Sequence, residues 1–276
     1  DLVEYLADDP ETEIIGGYIE GVRDGPRLVK ALAYASLRKP VVFLKGGRTE
    51  AGTNMVSSHT ASLAGAQEVW QAMCRQMGVI NTFSMEELMD MLVALTRMPV
   101  ATGINLLVGG GAGGKGVMSA DECEEEGLHL LPIPEDVREE LVKKDPFFGA
   151  WVTNPVDGSI MGGSKLTPHE VITLISKNPN YDVVINSISP SVPPIGDESS
   201  KPTRASRMLE HTEAIASDQG KPVALVISDT TPIDERLLDA TLALRRQCVS
   251  NGFAVFPTIS RAARAIKRLV GYYRWL

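Results

Sequence analysis

Short runs of β-branched and other apolar residues alternate with longer amphipathic stretches along the whole chain. This alternation constrains the fold most strongly, because it is the pattern of strands joined by helices that cross over a parallel sheet. The apolar runs are nearly continuous, as in strands that are covered on both faces. The predicted strands are Glu13–Ile19, Pro40–Lys45, Ile104–Val108, Asp182–Ile188, Pro222–Ser228 and Phe253–Phe256.

The amphipathic stretches between these runs carry helix start signals. Ser84 and Glu87 have the spacing of a capping box, and Thr167 precedes Pro168 at the first position of a helix. The chain is therefore predicted to be an α/β protein built on doubly wound parallel sheets. The predicted helices are Pro26–Ser36, Gln67–Met77, Met85–Thr96, Gly116–Glu126, Glu135–Lys143, Pro168–Lys177, Arg204–Gln219, Asp234–Ser250 and Ser260–Tyr273.

The predicted domain boundary is the segment 97–103, which follows a helix, contains Pro99 and Gly103 and precedes a new strand. It gives a first domain of residues 1–98 and a second domain of residues 99–276. The first domain has only two clear strands, and the chain begins with Asp1, where a helix already starts. Because two parallel strands do not form a stable sheet, we expect this domain to lack an N-terminal part.

The formal net charge of −8 disfavours nucleic acid and anionic membranes as partners, because both select clustered Lys and Arg. No apolar run approaches the length of a membrane span. Cys74, Cys123 and Cys248 lack metal-binding or redox spacing, and no histidine pair is spaced as in a metal site. The chain is predicted to be cytoplasmic, with reduced thiols and no metal site of its own.

The first segment that can carry chemistry follows the strand Pro40–Lys45. Gly, Ser and Thr are frequent in residues 46–65, Lys45 and Arg48 add positive charge, and His59 stands among small hydroxyl residues. Open α/β sheets bind ligands at the carboxyl ends of their strands, and an uncrowded imidazole there can act as a nucleophile. From these residues alone, the simpler interpretation of a surface loop histidine stays open.

A glycine-rich loop, Gly109–Gly116, lies between the strand Ile104–Val108 and a helix. Glycine amides that converge at a helix N-terminus form an anion site, which the helix dipole reinforces. The loop is not a P-loop, because Gly116 stands where Ser or Thr would bind Mg²⁺. A tight turn without a ligand and, with weaker support, a dinucleotide fingerprint are the alternatives.

Two further segments add polar groups. Glu20 ends the strand Glu13–Ile19, where its carboxylate can reach the same crevice as His59 and fix the imidazole tautomer. By spacing alone it is equally an ordinary solvated glutamate before a turn. The segment Asn154–Gly158 follows a strand-like stretch and either lines a substrate pocket or forms only a turn.

These segments belong to a series of blocks that occur in a fixed order. The blocks are Asp1–Thr12, Tyr18–Gly25, Leu44–Gly52, Ser58–Thr60, Gly109–Gly116, Asn154–Asp157 and Phe253–Arg268. With them the chain resembles, over essentially its whole length, the NDP-forming acyl-CoA synthetases. That family includes the ADP-forming acetyl-CoA synthetases and is related to succinyl-CoA synthetase. The Ser-His-Thr block after Lys-Gly-Gly-Arg is the most specific part of the resemblance.

The resemblance implies two flavodoxin-like domains, the first of them incomplete. It implies that His59 is phosphorylated during turnover, that Glu20 contacts it, and that the phosphohistidine lies between two helix N-termini. One would belong to the helix region after His59, and the other to the helix after Gly113–Gly116. Candidate phosphate-binding residues are Ser58, Thr60, Ala61 (where the family usually has Gly), Gly113, Gly114, Lys115 and Gly116. Candidate substrate-binding residues are Asn154 and Gly158.

The implied reaction converts acyl-CoA, phosphate and NDP into a carboxylate, CoA and NTP, through an acyl phosphate and phospho-His59. It requires CoA and ATP/ADP or GTP/GDP with Mg²⁺. We expect these to be bound by a CoA-binding domain and an ATP-grasp domain or subunit outside this chain. We also expect an oligomer that acts on a small carboxylic acid. The alternative is a catalytically silent regulatory domain of a protein acetyltransferase, in which the histidine tends to be lost.

Overall fold

The computed structural model describes residues 1–60, 66–110, 113–149, 152–158, 164–190, 204–228 and 235–276. Within these ranges it does not describe the side chains of residues 57, 59, 60, 149, 204 and 205. The chain divides into two compact units, one formed by Asp1–Thr96 with Gly271–Leu276 and the other by Arg97–Val270. The sequence places the division between residues 98 and 99 and assigns the last residues to the second domain.

The first unit contains a sheet of three parallel strands in the order β1-β2-β3. Leu32, Val41, Phe43 and Trp70 form the centre of its core. The strands and helices, in chain order, are α1 (Leu2–Asp8), β1 (Ile15–Ile19), α2 (Gly25–Ser36), β2 (Val41–Lys45), α3 (Glu50–Thr60), α4 (Gln67–Met77), β3 (Ile80–Thr82) and α5 (Met85–Arg97).

The strand β3 was absent from the sequence prediction, which found only two clear strands in this unit. With three residues, β3 is too short to display a periodicity. Its neighbours still mark its place: Gly78 ends α4 in the left-handed conformation, and Ser84 and Glu87 make the predicted capping contacts at the start of α5. The Thr82 hydroxyl also donates to the Phe43 carbonyl, which ties β3 to β2.

The second unit contains a sheet of five parallel strands in the order β5-β4-β6-β7-β8. Counted within the unit, this order is second, first, third, fourth, fifth, which is the flavodoxin-like order. The predicted α/β fold of flavodoxin-like, parallel-sheet domains is therefore confirmed. The elements that lie wholly or mainly in this unit are β4 (Asn105–Gly109), α6 (Gly114–Glu125), β5 (His129–Leu130), α7 (Glu135–Lys144), α8 (Pro168–Ser176), β6 (Val183–Ser187), α9 (Arg204–Gln219), β7 (Val223–Val226), α10 (Glu235–Ser250), β8 (Ala254–Phe256) and α11 (Ile259–Trp275).

The strand order of the second unit fixes where a ligand can bind. In doubly wound sheets the crevice lies outside the carboxyl ends of the two strands at which the order reverses. Here those strands are β4 and β6, and the loop after β4 is the glycine-rich segment that leads into α6. No helix in the described part of the chain is long and apolar enough to cross a membrane.

Candidate functional site

Glu20 follows the carboxyl end of β1, and two side chains of the first unit hold it. The Tyr18 hydroxyl donates to Glu20 Oε1 at 3.0 Å, and the Lys45 ammonium donates to the Glu20 carbonyl at 3.3 Å. The hydrogen bond to the carboxylate raises the pKa of Tyr18, because it favours the protonated phenol. Glu20 is thus a half-buried carboxylate at a strand end, with both its backbone and its side chain fixed.

The block Ser58-His59-Thr60 is helical and lies at the end of the described part of α3, so the interpretation of a loop at this block is wrong. The helix α3, absent from the sequence prediction, starts at Glu50 because Thr49 caps it: Thr49 Oγ1 accepts from the Gly52 amide and Thr49 O accepts from the Thr53 amide. The exposed Ser58 hydroxyl donates to the Met55 carbonyl at 2.8 Å.

The helix that follows the block, α4, begins only at Gln67. Residues 61–65, directly after the block, lie outside the described part of the chain, so the expected helix N-terminus after His59 stays a prediction. The side chains of His59 and Thr60, and residue Ala61, lie outside the described part of the chain. Their chemistry stays a prediction.

In the second unit, the first glycines of the Gly109–Gly116 loop are required by packing. A Cβ on Gly110 would lie 2.1 Å from the Ser187 carbonyl oxygen, and Gly110 has a φ of +82°. A Cβ on Gly109 would lie 2.3 Å from the tip of Ile172. The interpretation of a tight turn accounts for Gly110, because β4 approaches β6 closely there, whereas Gly109 leaves room for the Ile172 side chain of α8.

The last glycines of the loop have a different environment. No described atom lies within 4 Å of a Cβ built on Gly113, Gly114 or Gly116. Gly113 is the N-cap of α6 with a φ of +52°, so its backbone conformation favours glycine, but Gly114 and Gly116 have ordinary backbone angles. Packing therefore does not explain Gly114 and Gly116, and a side chain at either position would partly cover the start of α6.

Lys115 and Asp157 place one side-chain charge of each sign at the start of α6. The first turn contains no acidic residue and carries the exposed Lys115, whose charge the helix dipole disfavours there unless an anion is near. One carboxylate already reaches this end, since Asp157 Oδ2 accepts from the Gly113 amide at 2.7 Å. Because 44 residues separate donor and acceptor, no local sequence pattern indicates this cap.

Asn154 links the same segment to the sheet. Its Oδ1 accepts from the Val108 amide at 3.0 Å, and its Nδ2 donates to the Leu106 carbonyl at 2.7 Å and the Leu131 carbonyl at 3.0 Å. Beyond the end of the short strand β5, the amide group thus takes the place of a neighbouring strand. Val156 then bonds to the Val108 carbonyl. The Asn154 side chain thus holds the backbone of the second unit in place. A contact with substrate stays a prediction, both for Asn154 and for the half-buried Gly158.

We expect Asn154→Ala to destabilise the second unit by roughly 2–4 kcal/mol, because it leaves partly buried backbone groups of β4 without partners. Hydrogen exchange of the Val108 amide should accelerate accordingly. The matched control is Asn180→Ala, an exposed asparagine after α8. Equal protection of Val108 in both variants would contradict a strand-like role for the Asn154 amide.

A cavity of about 420 Å³ lies beside α6 at the carboxyl ends of β4 and β6. Gly110 and Lys115 line it together with the hydroxyl-bearing Ser187 and Ser189. The carboxyl-end crevice that the topology requires is therefore present, and the predicted phosphate-binding residue Lys115 belongs to it.

Family models match both units. The succinyl-CoA ligase like flavodoxin domain matches residues 1–95, and the Ligase-CoA domain matches residues 106–229. The alpha subunit of ADP-forming acetate–CoA ligase II of Pyrococcus furiosus is 37% identical over 185 residues, which are 67% of this chain and 40% of that protein. The alpha subunit of ligase I of the same organism is 30% identical over 275 residues, 100% of this chain and 56% of that protein. The chain belongs to the ADP-forming acyl-CoA synthetase family.

A solved structure also supports the membership of this chain in the synthetase family. The dinucleotide forming acetyl-coenzyme A synthetase 1 of Ca. Korarchaeum cryptofilum, in complex with phosphate and ADP, matches with a TM-score of 0.77 and 28% sequence identity. The match covers 99% of this chain and 56% of the solved chain. The chain thus spans about half the length of the relatives it matches.

The cysteines of this synthetase-family chain are poor nucleophiles. All three are buried, and burial raises the pKa of Cys74 and Cys123 to about 12 and that of Cys248 to about 11. A thiolate would therefore be scarce near neutral pH. Within the described ranges, no group of three His, Cys, Asp or Glu residues is arranged to hold a metal ion.

Proposed function

We propose that this chain is the phosphohistidine-bearing core of an NDP-forming acyl-CoA synthetase. In the direction of thioester breakdown, phosphate displaces CoA from acyl-CoA and an acyl phosphate forms. A ring nitrogen of His59 then attacks the phosphorus atom, the bond between phosphorus and the acyl oxygen breaks, and the carboxylate leaves. Phospho-His59 finally transfers its phosphoryl group to NDP. Each step exchanges one bond to phosphorus or to the acyl carbon, so the sum is the reversible synthetase reaction.

In the second unit, the proposed phosphate site is the N-terminus of α6. No side chain at Gly114 or Gly116 covers this end, where the Gly116 amide donates to the Gly113 carbonyl and the Gly113 amide to Asp157. Lys115 adds positive charge, and the cavity at the carboxyl ends of β4 and β6 adjoins it. Amides and dipole at a helix start stabilise a phosphoryl group by about 0.3–2 kcal/mol. Because the donors are fixed before the reaction, they stabilise the charge that develops during transfer without reorganising.

Glu20 has the positioning role in the first unit. Its carboxylate accepts from Tyr18, and its backbone is held by Lys45, so one carboxylate oxygen has a fixed direction. A carboxylate that accepts from one imidazole nitrogen leaves the other nitrogen deprotonated and nucleophilic. We assign this contact to Glu20 and His59, and phosphate contacts to Ser58, Thr60 and Ala61.

The remaining components are also proposals. ATP/ADP or GTP/GDP with Mg²⁺ is assigned to an ATP-grasp domain or subunit, and CoA to a CoA-binding domain. The name "alpha subunit" carried by relatives supports the expectation of such a partner. We refer to this chain together with these parts, on one polypeptide or several, as the complete enzyme.

The direct test is a balanced assay of the complete enzyme. With acyl-CoA, inorganic phosphate and NDP, NTP and free CoA should form in equal amounts, and omission of any one substrate should stop the reaction. Release of CoA without phosphate and NDP would instead indicate a thioesterase and would contradict the proposal.

A phosphate-site prediction follows for Gly114. We expect Gly114→Val to lower the rate of phosphoenzyme formation by about 10²-fold, the scale seen when one oxyanion donor is lost, because the side chain covers the first amides of α6. The melting temperature should stay unchanged, since no described atom is near the new Cβ. Gly110→Val is the contrasting variant and should lower the melting temperature, because its Cβ would meet the Ser187 carbonyl. A normal phosphorylation rate in a folded Gly114→Val enzyme would contradict a phosphate contact at this turn.

A further inference from the structure

Lys45, at the carboxyl end of β2, is a buried cation, and no described residue provides a nearby counter-ion. Its side chain is 2% exposed, and its ammonium group donates to the Glu20 carbonyl at 3.3 Å and the Gly46 carbonyl at 3.0 Å. Among the residues that the structure describes, no carboxylate oxygen lies within 4 Å of it. Two carbonyls use two of its three donors. A buried charge that is not neutralised is costly, and burial lowers the pKa of Lys45.

Lys45 lines a cavity of about 290 Å³ at this edge of the first sheet. The N-terminus of α3 forms part of the cavity wall, because Thr49 and Gly52 both line it and Thr49 caps the helix. The helix has 11 residues, so its dipole adds partial positive charge to this wall. Tyr18 and Phe83 supply aromatic surface on other sides.

Arg48 adds a second cation to the cavity. Its Nη2 donates to the Phe83 carbonyl at 2.6 Å, and its guanidinium lies 5.4 Å from the centre of the Phe83 ring. These contacts hold the guanidinium beside the opening, and the described residues place no carboxylate within ion-pair distance of it. The cavity therefore combines one buried ammonium, one exposed guanidinium and a helix N-terminus.

We propose that this cavity binds a small oxyanion, with Lys45 as its fixed positive charge and Arg48 at its entrance. The volume is ample for a phosphate or a short carboxylate, and both are reactants in the proposed synthetase reaction. The choice of these two ligands rests on the proposed function, whereas the cavity and its charges do not. Both ligands share the chemistry that Lys45 recognises, namely negatively charged oxygens that accept charge-assisted hydrogen bonds.

The test is calorimetric titration of the full chain with two probes, inorganic phosphate and propionate, in a buffer free of other oxyanions. We expect one of them to bind, with Lys45→Met raising its dissociation constant by about tenfold or more, the scale of a charge-assisted hydrogen bond. Lys30→Met is the matched control, because Lys30 is exposed on α2 and does not line the cavity. The probe that binds in a Lys45-dependent manner identifies the source of the oxyanion.

Lys45→Met should keep the fold, since it removes an uncompensated buried charge and retains most of the side-chain volume. Should the variant nevertheless fail to fold, Arg48→Met at the exposed entrance gives an independent test, with an expected loss of about twofold to fivefold in affinity. Binding of neither probe, or binding that Lys45→Met and Arg48→Met leave unchanged, overturns the proposal. Because titration of the chain needs no phosphohistidine, failure of phosphoryl transfer to His59 leaves this result unaffected, and the two proposals fail separately.

Discussion

Replacing His59 by asparagine is expected to abolish phosphoryl transfer in the complete enzyme. The imidazole is proposed to form a covalent bond to phosphorus, and asparagine of similar size has no comparable nucleophile. Loss of a catalytic nucleophile lowers turnover by at least about 10⁴-fold in enzymes that depend on it. The measurement is the rate of NTP formation from acyl-CoA, phosphate and NDP. The same variant should carry no label after incubation with γ-labelled NTP.

The matched control for this substitution is His129→Asn. His129 lies on the short strand β5, is exposed and contacts Glu124 at 3.5 Å. Its loss should leave turnover within about twofold of the unmodified enzyme, as for surface substitutions in general. An His59→Asn enzyme that still forms NTP at the unmodified rate would contradict the proposed phosphohistidine.

The second large effect is expected for Glu20→Gln. The side-chain oxygen that accepts from Tyr18 is kept, so the local geometry should survive, but the negative charge that is proposed to orient and stabilise the imidazole is lost. A positioned acid–base partner contributes about 10²–10⁴-fold, and we expect a decrease of that size in the single-turnover rate of phosphohistidine formation. Binding of nucleotide should not change, since Glu20 is assigned no contact with it.

Glu13→Gln is the control for this variant. Glu13 is exposed just before the amino end of β1, whereas Glu20 follows its carboxyl end, so the same chemical change is made at both ends of one strand. Only the change at the carboxyl end should slow the reaction. Equal single-turnover rates in the two variants would show that Glu20 has no role in forming the phosphoenzyme.

The sequence predicted the fold from the alternation of strand and helix patterns. Long elements were located closely: Gln67–Met77 and Arg204–Gln219 match α4 and α9 residue for residue. The two short strands β3 and β5, of three and two residues, were missed because a periodicity needs more residues than they contain. For the same reason the first sheet was predicted with too few strands.

The site was predictable only in part. The glycine-rich loop was found from composition, but composition does not distinguish Gly110, which packs against β6, from Gly114, which faces open space. That difference depends on a neighbouring strand far away in sequence. The helix at Ser58-His59-Thr60 was missed because its cap, Thr49, stands among residues that favour loops.

Local sequence patterns also did not predict the polar contacts between residues that are distant in the chain. Asn154 and Asp157 look like residues of an ordinary turn, yet their side chains complete β4 and cap α6 across separations of 44 to 48 residues. Lys45 was seen only as a positive charge at a strand end. Its burial, and the lack of a nearby carboxylate among the described residues, depend on how β1, β2 and α3 pack in the folded unit.

The central claim is that His59 carries phosphorus as a covalent intermediate. The most direct measurement is site mapping of the phosphoryl group after the complete enzyme has reacted with γ-labelled NTP in the absence of CoA. The proposal predicts one acid-labile, base-stable phosphate per chain, found by mass spectrometry on the peptide that contains His59. Phosphate on any other residue, or an enzyme that turns over without ever carrying phosphate on His59, would contradict it.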